Sequence, residues 1–487
     1  ETEDLIKAEM GKKERQASVY SIGPAGENLV RFAAILGDKG HAAGHNGTGA
    51  VMGSKKLKAV AVARGRRPVK IADPKGFDAL AKESFETRLN DPASGRRYLD
   101  WGTSTLCVVN YPGGRVPVRN LTTAFFPEVE KFSGPYYRPR WKIKANPCWA
   151  CRCHHCYKVQ VGEGPYTGFE GEEGEYEMMA AFGPLIGETD AGAATMLSNI
   201  CDRLGLEGCE AGWTLGMVME LFEKGVLTGK DTDGLEMTWG NTEAVKALMG
   251  KIARREGFGD ILAEGVLRAS QRIGKEARNC GIFYGNGNTP RTYDLRAGRW
   301  EAILDDITAS TGVKEGDPLH PEEFGLNPGD PFSPKDITNV TAKMKGKGPF
   351  RDSMVICLFA GSGFMKHYVA AVNTVTGWDL SIEEGLRLGE RIAALTRAYA
   401  WRTGMTPDTE TLSPRLLEAP RDGPAQGKSI RPFWNEILDG YYGGLGWDRK
   451  SGRPLPETLK RLELDEVIPD LWGKEPSQSK QTGTRRD

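Results

Sequence analysis

The chain has 487 residues, 39% hydrophobic and 27% charged, which excludes a fibrous or wholly disordered protein and fits roughly two to four domains. Lys plus Arg and Asp plus Glu each total 65, so no net field draws the chain to nucleic acid or anionic lipid. No apolar run reaches the roughly 18 residues that span a bilayer, the charged start ETEDLIKAEMGKKE is unlike a signal peptide, and the clustering of nine cysteines fits a reducing compartment, the cytoplasm.

The chain opens on Glu1, within a short amphipathic helical pattern, which points to a fragment, a processed chain or a split subunit. Ala17 to Gly23 (ASVYSIG) and Leu57 to Ala63 (LKAVAVA) read as strands, because small and β-branched residues dominate them. Between them, Gly40, Gly44, Gly47, Gly49 and Gly53 let the backbone turn sharply or pass close to a bulky ligand. The Pro- and Arg-bearing stretch Gly65 to Gly76 reads as a domain junction.

From Ala191 the period becomes helical. Leu197, Ile200, Cys201 and Leu204 form one apolar stripe ahead of a stop at Gly205, and Trp213, Met217, Leu221 and Phe222 repeat the pattern before Gly225. Val245, Leu248, Met249 and Ile252 repeat it again, so the middle region is helical. A second junction is expected at Gly281 to Pro290, followed by a loop-rich part at Asn327 to Asp336. Ser381 and Glu384 stand in capping-box spacing and open a long helix whose expected buried face is Ile382, Leu386, Ile392, Leu395 and Tyr399. Met405 to Phe433 reads as surface loop, and Ser477 to Asp487 as a frayed polar tail.

Three sites carry chemistry. CWACRCHHCY, Cys148 to Tyr157, packs four cysteines and two histidines into one short run. Cys148 and Cys151 have C-x2-C spacing, and Cys153 or Cys156 supplies a third thiolate; iron–sulfur clusters and structural zinc both use such spacing, and His154 or His155 can complete a zinc site. Asp202-Arg203-Leu204-Gly205-Leu206-Glu207 is either a plain helix end or a pair of carboxylates offered to the N–H donors of a heterocycle. Asp352-Ser353-Met354-Val355-Ile356-Cys357 repeats the acidic start and ends in a cysteine, whose plain reading is a buried core thiol.

GPAGENLVRFAAI, GTGAVMGSKKLKAVAV, the cysteine run, GEYE, D-x-x-G-L-E, YDLR and D-x-x-V-I-C occur together and in order. The chain thereby resembles the tungsten-containing aldehyde ferredoxin oxidoreductase family over nearly its whole length, GAVMGSKKLKA being the most specific block. The resemblance implies an α+β fold: the remnant of a β-rich cofactor-base domain (1–67), then two mainly α-helical domains (68–284 and 285–487). It implies a tungsten or molybdenum bis-pyranopterin beside a [4Fe–4S] cluster, with magnesium able to bridge the pterin phosphates. It places Cys148, Cys151, Cys156 and the distant Cys357 as cluster ligands, Cys153 being the alternative to Cys156 because neither gives the usual C-x2-C-x3-C spacing. It assigns cofactor contacts to Ala42, Ala43, Gly44, Asp202, Gly205, Leu206, Glu207, Asp352 and Ile356, and catalytic roles to Glu175, Glu177 and His320.

Departures accompany these matches. His41 and His45 stand where arginines are usual, Val355 where glycine is common, and no match exists for the acid and histidine of an inter-subunit iron. The family's usual N-terminal segment would precede Glu1, and the expectation is that cofactor binding needs it. The implied reaction oxidises a small aldehyde to a carboxylic acid and passes electrons to ferredoxin or an iron–sulfur subunit, and a homodimer is allowed. Alternatives are a tungsten subunit like that of class II benzoyl-CoA reductase, and a non-catalytic cluster- or zinc-bearing subunit completed by a separate N-terminal chain.

Overall fold

ASVYSI and AVAVA become neighbouring strands in the computed structural model, which describes residues 1–13, 16–65, 67–91, 95–308 and 319–473. The first sheet contains β1 (Ala17–Ile22), β2 (Ile35–Gly37), β3 (His41–Ala43) and β4 (Ala59–Ala63), antiparallel throughout in the order β3-β2-β1-β4. Along β1, Ala17, Val19 and Ile22 are buried while Ser18, Tyr20 and Ser21 are only partly covered, an alternation that holds over the first four residues and breaks at the strand's end.

The block GAVMGSKKLKA folds as the helix Thr48–Ser54 running into β4. Its glycines are there for contact: a Cβ at Gly49 would lie 2.4 Å from the Ala34 carbonyl oxygen, and one at Gly53 would lie 1.9 Å from that of Gly26. The helix therefore lies directly on the backbone of the preceding loop, which no larger residue allows.

A second sheet, β5 (Lys142–Ala145), β6 (Tyr157–Gln160) and β7 (Glu170–Glu172), is also antiparallel in sequence order. Ala145 faces Tyr157, so the whole cysteine run is the connection of the β5–β6 hairpin, closed by the Asn146 N–H donating to the Cys156 carbonyl at 2.9 Å.

The rest is helical, giving an α+β protein. The three expected middle helices form as Ala191–Leu204, Gly208–Glu223 and Thr242–Arg254, with Gly205 left-handed at φ 74° where the first one stops. One apolar core runs from Ala25 and Phe32, through Trp213 and Met249, to Tyr441 and Trp447. The stretch read as a second junction is part of it: Ile282, Phe283 and Tyr284 are buried, and Tyr284 bridges to Leu412.

Two expectations are corrected. The helix Ile382–Arg402 opens with the expected capping box, yet Ile382, Ile392, Leu395 and Tyr399 are exposed, and the packed side is Gly385, Gly389, Ala393, Ala394 and Ala398. Close backbone approach decides this, since a Cβ at Gly389 would sit 1.7 Å from the Gly346 carbonyl oxygen. Gly389→Ala is accordingly expected to destabilise the protein by about 3 kcal/mol, the upper end for overpacking; an unchanged denaturant midpoint would contradict this packing. Met405 to Phe433 is irregular but anchored rather than superficial. Glu410 is buried against Arg397 and Tyr442, and Arg415 donates to Glu220 at 2.8 Å and to the Asn120 carbonyl at 3.0 Å. The tail Ser477–Asp487 lies outside the described residues.

Candidate active site

The glycine-rich first region and the Asp202–Glu207 turn are joined through their backbones. The Ala34 N–H donates to the Gly205 carbonyl at 2.8 Å, the Glu207 N–H donates to the Phe32 carbonyl at 2.9 Å, and Ala33 bridges Leu206. Cβ atoms at Gly23 or Gly205 would clash at 2.6–2.7 Å with the opposite backbone, so glycine at both positions sets the approach. Gly44 lies over Glu207, a Cβ there being 3.3 Å from its Cγ.

Within that turn the two acids have separate fates. Asp202 has no hydrogen bond to its carboxyl among the described residues, and burial alone pushes its pKa up to about 7. Glu207 spends both carboxylate oxygens on the first turn of the next helix, accepting from the N–H groups of Cys209 at 3.0 Å and Glu210 at 2.6 Å. Asp202 thus keeps free acceptors for a heterocycle, whereas Glu207 holds the helix start. A cavity of about 650 Å³ opens beside it, lined by His45, Asn46, Gly47, Glu207, Glu210 and Arg268 among others.

The acidic run after β7 is not a solvated loop; most of its carboxylates have distinct surroundings. Glu172 packs against Gly40, whose left-handed φ of 128° and missing Cβ admit the carboxylate, and accepts from the Asn146 amide at 3.0 Å; burial, then the nearby Asp202 charge, raise its pKa to about 8. Glu173 forms a buried bidentate pair with Arg138 at 2.6 and 2.7 Å. Glu175 is bonded to Thr103, lies 3.3 Å from His155 Nε2 and accepts from Cys156 Sγ at 3.4 Å. Its side chain keeps 39% of its surface accessible. Glu177 has no ion pair among the described residues; burial raises its pKa, and the Arg291 charge opposes that rise. The Thr292 hydroxyl donates to the Glu177 carbonyl at 2.8 Å, which ties the irregular Arg291–Thr292 segment to this helix.

All nine cysteines are free thiols. Cys148 is hydrogen-bonded with Cys156 and lies 3.5 Å from His41 Nε2, and these partners lower its pKa to about 4. Cys357 lies within electrostatic range of Cys151 and Cys153. Cys153 is buried and donates to the Phe359 carbonyl at 3.3 Å. Cys357 itself is exposed, not the core thiol that the plain reading expected. Val355 just before it sits at φ 58° and is 92% exposed, a conformation strained for a β-branched residue and suited to glycine.

Other expected residues lie apart. The Asp352 carboxylate turns to its neighbour Arg351 at 2.8 Å and is half exposed, so it differs from Asp202 in both pairing and burial. Ile356 packs beside Phe350 and Met365. His320 stacks on Phe364 with ring centroids 3.8 Å apart and meets Glu322 at 3.0 Å; neither neighbour belongs to the Glu172–Glu177 group. Ala42 and Ala43 end β3, with His41 rather than an arginine turned to Cys148. Sequence reasoning missed Thr103, His155 as a partner of Glu175, and Arg291, because none stands in a recognisable spacing.

Residues 80–464 match the family model of aldehyde ferredoxin oxidoreductase domains 2 and 3, and residues 1–64 match that of its N-terminal domain. The tungsten-containing aldehyde ferredoxin oxidoreductase of Pyrococcus furiosus is 35% identical over 96% of this chain and 76% of its own length, and that of Thermococcus kodakarensis is 35% identical with the same coverage. An aliphatic sulfonate oxidoreductase, WOR-like subunit, from Pyrococcus furiosus is 30% identical over 94% of this chain and 72% of its own length. Among solved structures, the BamBC active-site complex of benzoyl coenzyme A reductase has the same fold, with TM-score 0.72 at 21% identity over 96% of this chain and 76% of that one.

Proposed function

Because the chain belongs to the aldehyde ferredoxin oxidoreductase family and is an oxidoreductase, we propose that it oxidises an aldehyde to a carboxylic acid with a tungsten or molybdenum bis-pyranopterin and a [4Fe–4S] cluster, and passes the electrons to ferredoxin. The observation that carries this reading is the meeting of three elements around one group of enclosed acids: the cysteine hairpin, the Asp202–Glu207 turn docked on the glycine loop, and Glu177. Asp202 has free acceptors in an enclosed setting, which fits the amino and ring N–H donors of a pterin. Cys148, Cys151, Cys156 and Cys357 are unpaired thiols on two converging segments, which fits a cluster better than a disulfide framework. Main-chain groups of Ala42, Ala43 and Gly44 would hold the cofactor's phosphates, whose charge magnesium would offset.

The chemistry supplied by the bound groups is acceptance of an electron pair at the metal and its one-electron delivery through the cluster. The chain's own part is proton handling and orientation. An aldehyde hydrate that becomes a carboxylic acid gives up two electrons and two protons; Glu177, unpaired among the described residues and raised in pKa, would take up one proton at its carboxylate, and the other would leave to water. Glu175 is held by Thr103 and His155 and positions the cluster-bearing hairpin through Cys156. His320, stacked on Phe364, has no role in this reading.

The relatives that act on aldehydes share 35% identity with this chain, against 21% for the benzoyl coenzyme A reductase complex, and the aldehyde reading is preferred for that reason. Among the described residues no helix is long and apolar enough to cross a membrane, and nine free thiols fit the cytoplasm. Elemental analysis of anaerobically purified protein, with electron paramagnetic resonance of the reduced state and an aldehyde-dependent dye reduction assay, tests the proposal. Tungsten or molybdenum, iron and aldehyde-dependent reduction are expected; zinc alone, without a cluster signal, would refute it.

A further inference from the structure

The cysteine hairpin is flanked by cations that no carboxylate takes up. Lys142 and Lys144 stand on β5, every residue of which is exposed, and Arg152 is exposed within the hairpin connection itself. Arg64, just after β4, lies over the Trp149 ring at 4.7 Å from its centroid, and Trp149 is 70% exposed between Cys148 and Cys151. Among the described residues none of Arg64, Lys142, Lys144 and Arg152 forms an ion pair. The carboxylates on and after β7 are engaged elsewhere: Glu170 with the Gln160 amide at 2.8 Å, Glu172 with the Asn146 amide at 3.0 Å and Glu173 with Arg138 at 2.6 Å.

The strand register makes these lysines a cost to the fold. Lys144 stands directly opposite Lys158 across the hairpin, and like charges so placed destabilise a strand pair. Lys142 is two residues away and shares that face of β5. Lysines on an edge strand also block aggregation, and β5 is an edge of its sheet. That role does not account for Arg64 and Arg152, which lie off the strand, or for the exposed Trp149. A chain with equal basic and acidic totals thus gathers uncompensated positive charge around an exposed aromatic ring, beside Cys148, which is itself exposed.

We propose that Arg64, Lys142, Lys144 and Arg152, grouped around Trp149, form the docking surface for an acidic electron-carrier protein, a ferredoxin that presents carboxylates to them. The inference rests on the oxidoreductase reading above and adds the place where electrons leave. Opposite charge speeds association and gives it a salt dependence. Tryptophan and arginine are the side chains that most often anchor an interface, and electron-transfer encounters need little buried area. Anionic lipid would meet the same charge, but the exposed Cys148, a proposed cluster ligand on this surface, favours a redox protein.

The test compares holoenzyme with the double variants Lys142→Glu/Lys144→Glu and Arg64→Glu/Arg152→Glu. At low salt the KM for an acidic bacterial ferredoxin is expected to rise about tenfold in each and to lose much of its salt dependence. Reduction of benzyl viologen and the iron content are expected to stay at parent levels. Calorimetric binding of oxidised ferredoxin, which needs no turnover, is expected to weaken by a similar factor. A glutamate at 144 meets Lys158 as an opposite charge, so the lysine variant is expected to fold at least as well as the parent. Unchanged ferredoxin KM and affinity would overturn the proposal. So would variants that bind ferredoxin normally but no longer bind phosphatidylglycerol vesicles, which would assign the surface to a membrane. Aldehyde-dependent viologen reduction without ferredoxin binding removes the docking surface and keeps the aldehyde reading; ferredoxin binding that weakens in the variants, without aldehyde oxidation, does the reverse.

Discussion

Cys156→Ser is expected to lose its cluster, with iron falling from about four atoms per chain to below one, while Cys153→Ser keeps both the iron and the reduced-state paramagnetic signal. The two residues are three apart in one hairpin connection, but their thiols have different surroundings. Cys156 is half-buried, hydrogen-bonded with Cys148 and 3.4 Å from the Glu175 carboxylate. Cys153 is buried and spends its S–H on the Phe359 carbonyl, which fastens the hairpin to the segment that follows Cys357. Cys153→Ser should therefore cost some stability and leave the metal alone. Iron analysis with paramagnetic resonance of both variants decides the matter, and loss of the cluster from Cys153→Ser with its retention in Cys156→Ser would reverse the assignment.

Glu177→Gln should lower kcat by about a hundredfold to ten-thousandfold, the usual weight of a positioned acid or base, without loss of tungsten. The pH dependence separates a proton-handling role from a structural one. Burial raises the Glu177 pKa, so its ionised, proton-accepting form is lost as pH falls through a value above the ordinary carboxylate range. The parent enzyme is thus expected to show an acidic limb in kcat/KM displaced to higher pH, and Glu177→Gln to lack it. Glu175→Gln is expected to disturb the hairpin through His155, Thr103 and Cys156, with its main effect on iron content. An unshifted acidic limb in Glu177→Gln would remove Glu177 from the chemistry.

The sequence by itself determined the local elements of this protein. The strand of small and β-branched residues at ASVYSI, the apolar stripe ahead of Gly205 and the Ser381–Glu384 box each form where the local sequence put them, because such signals depend on residues a few positions apart. The density of cysteines at 148–156 also singled out the segment proposed to bind metal. What only the tertiary structure decided is which side of each element meets another part of the chain. The helix Ile382–Arg402 has both an apolar stripe and a glycine–alanine stripe, and the approach of Gly346 chose the second. The acidic run EGEEGEYE is one string of similar residues, yet Arg138 takes Glu173, His155 takes Glu175, and Glu177 is left facing Arg291, across separations of 35, 20 and 114 positions (173 − 138, 175 − 155 and 291 − 177). Carboxylates alike in sequence differ in pKa and role because desolvation and nearby charge depend on distance in space, which residue order does not encode.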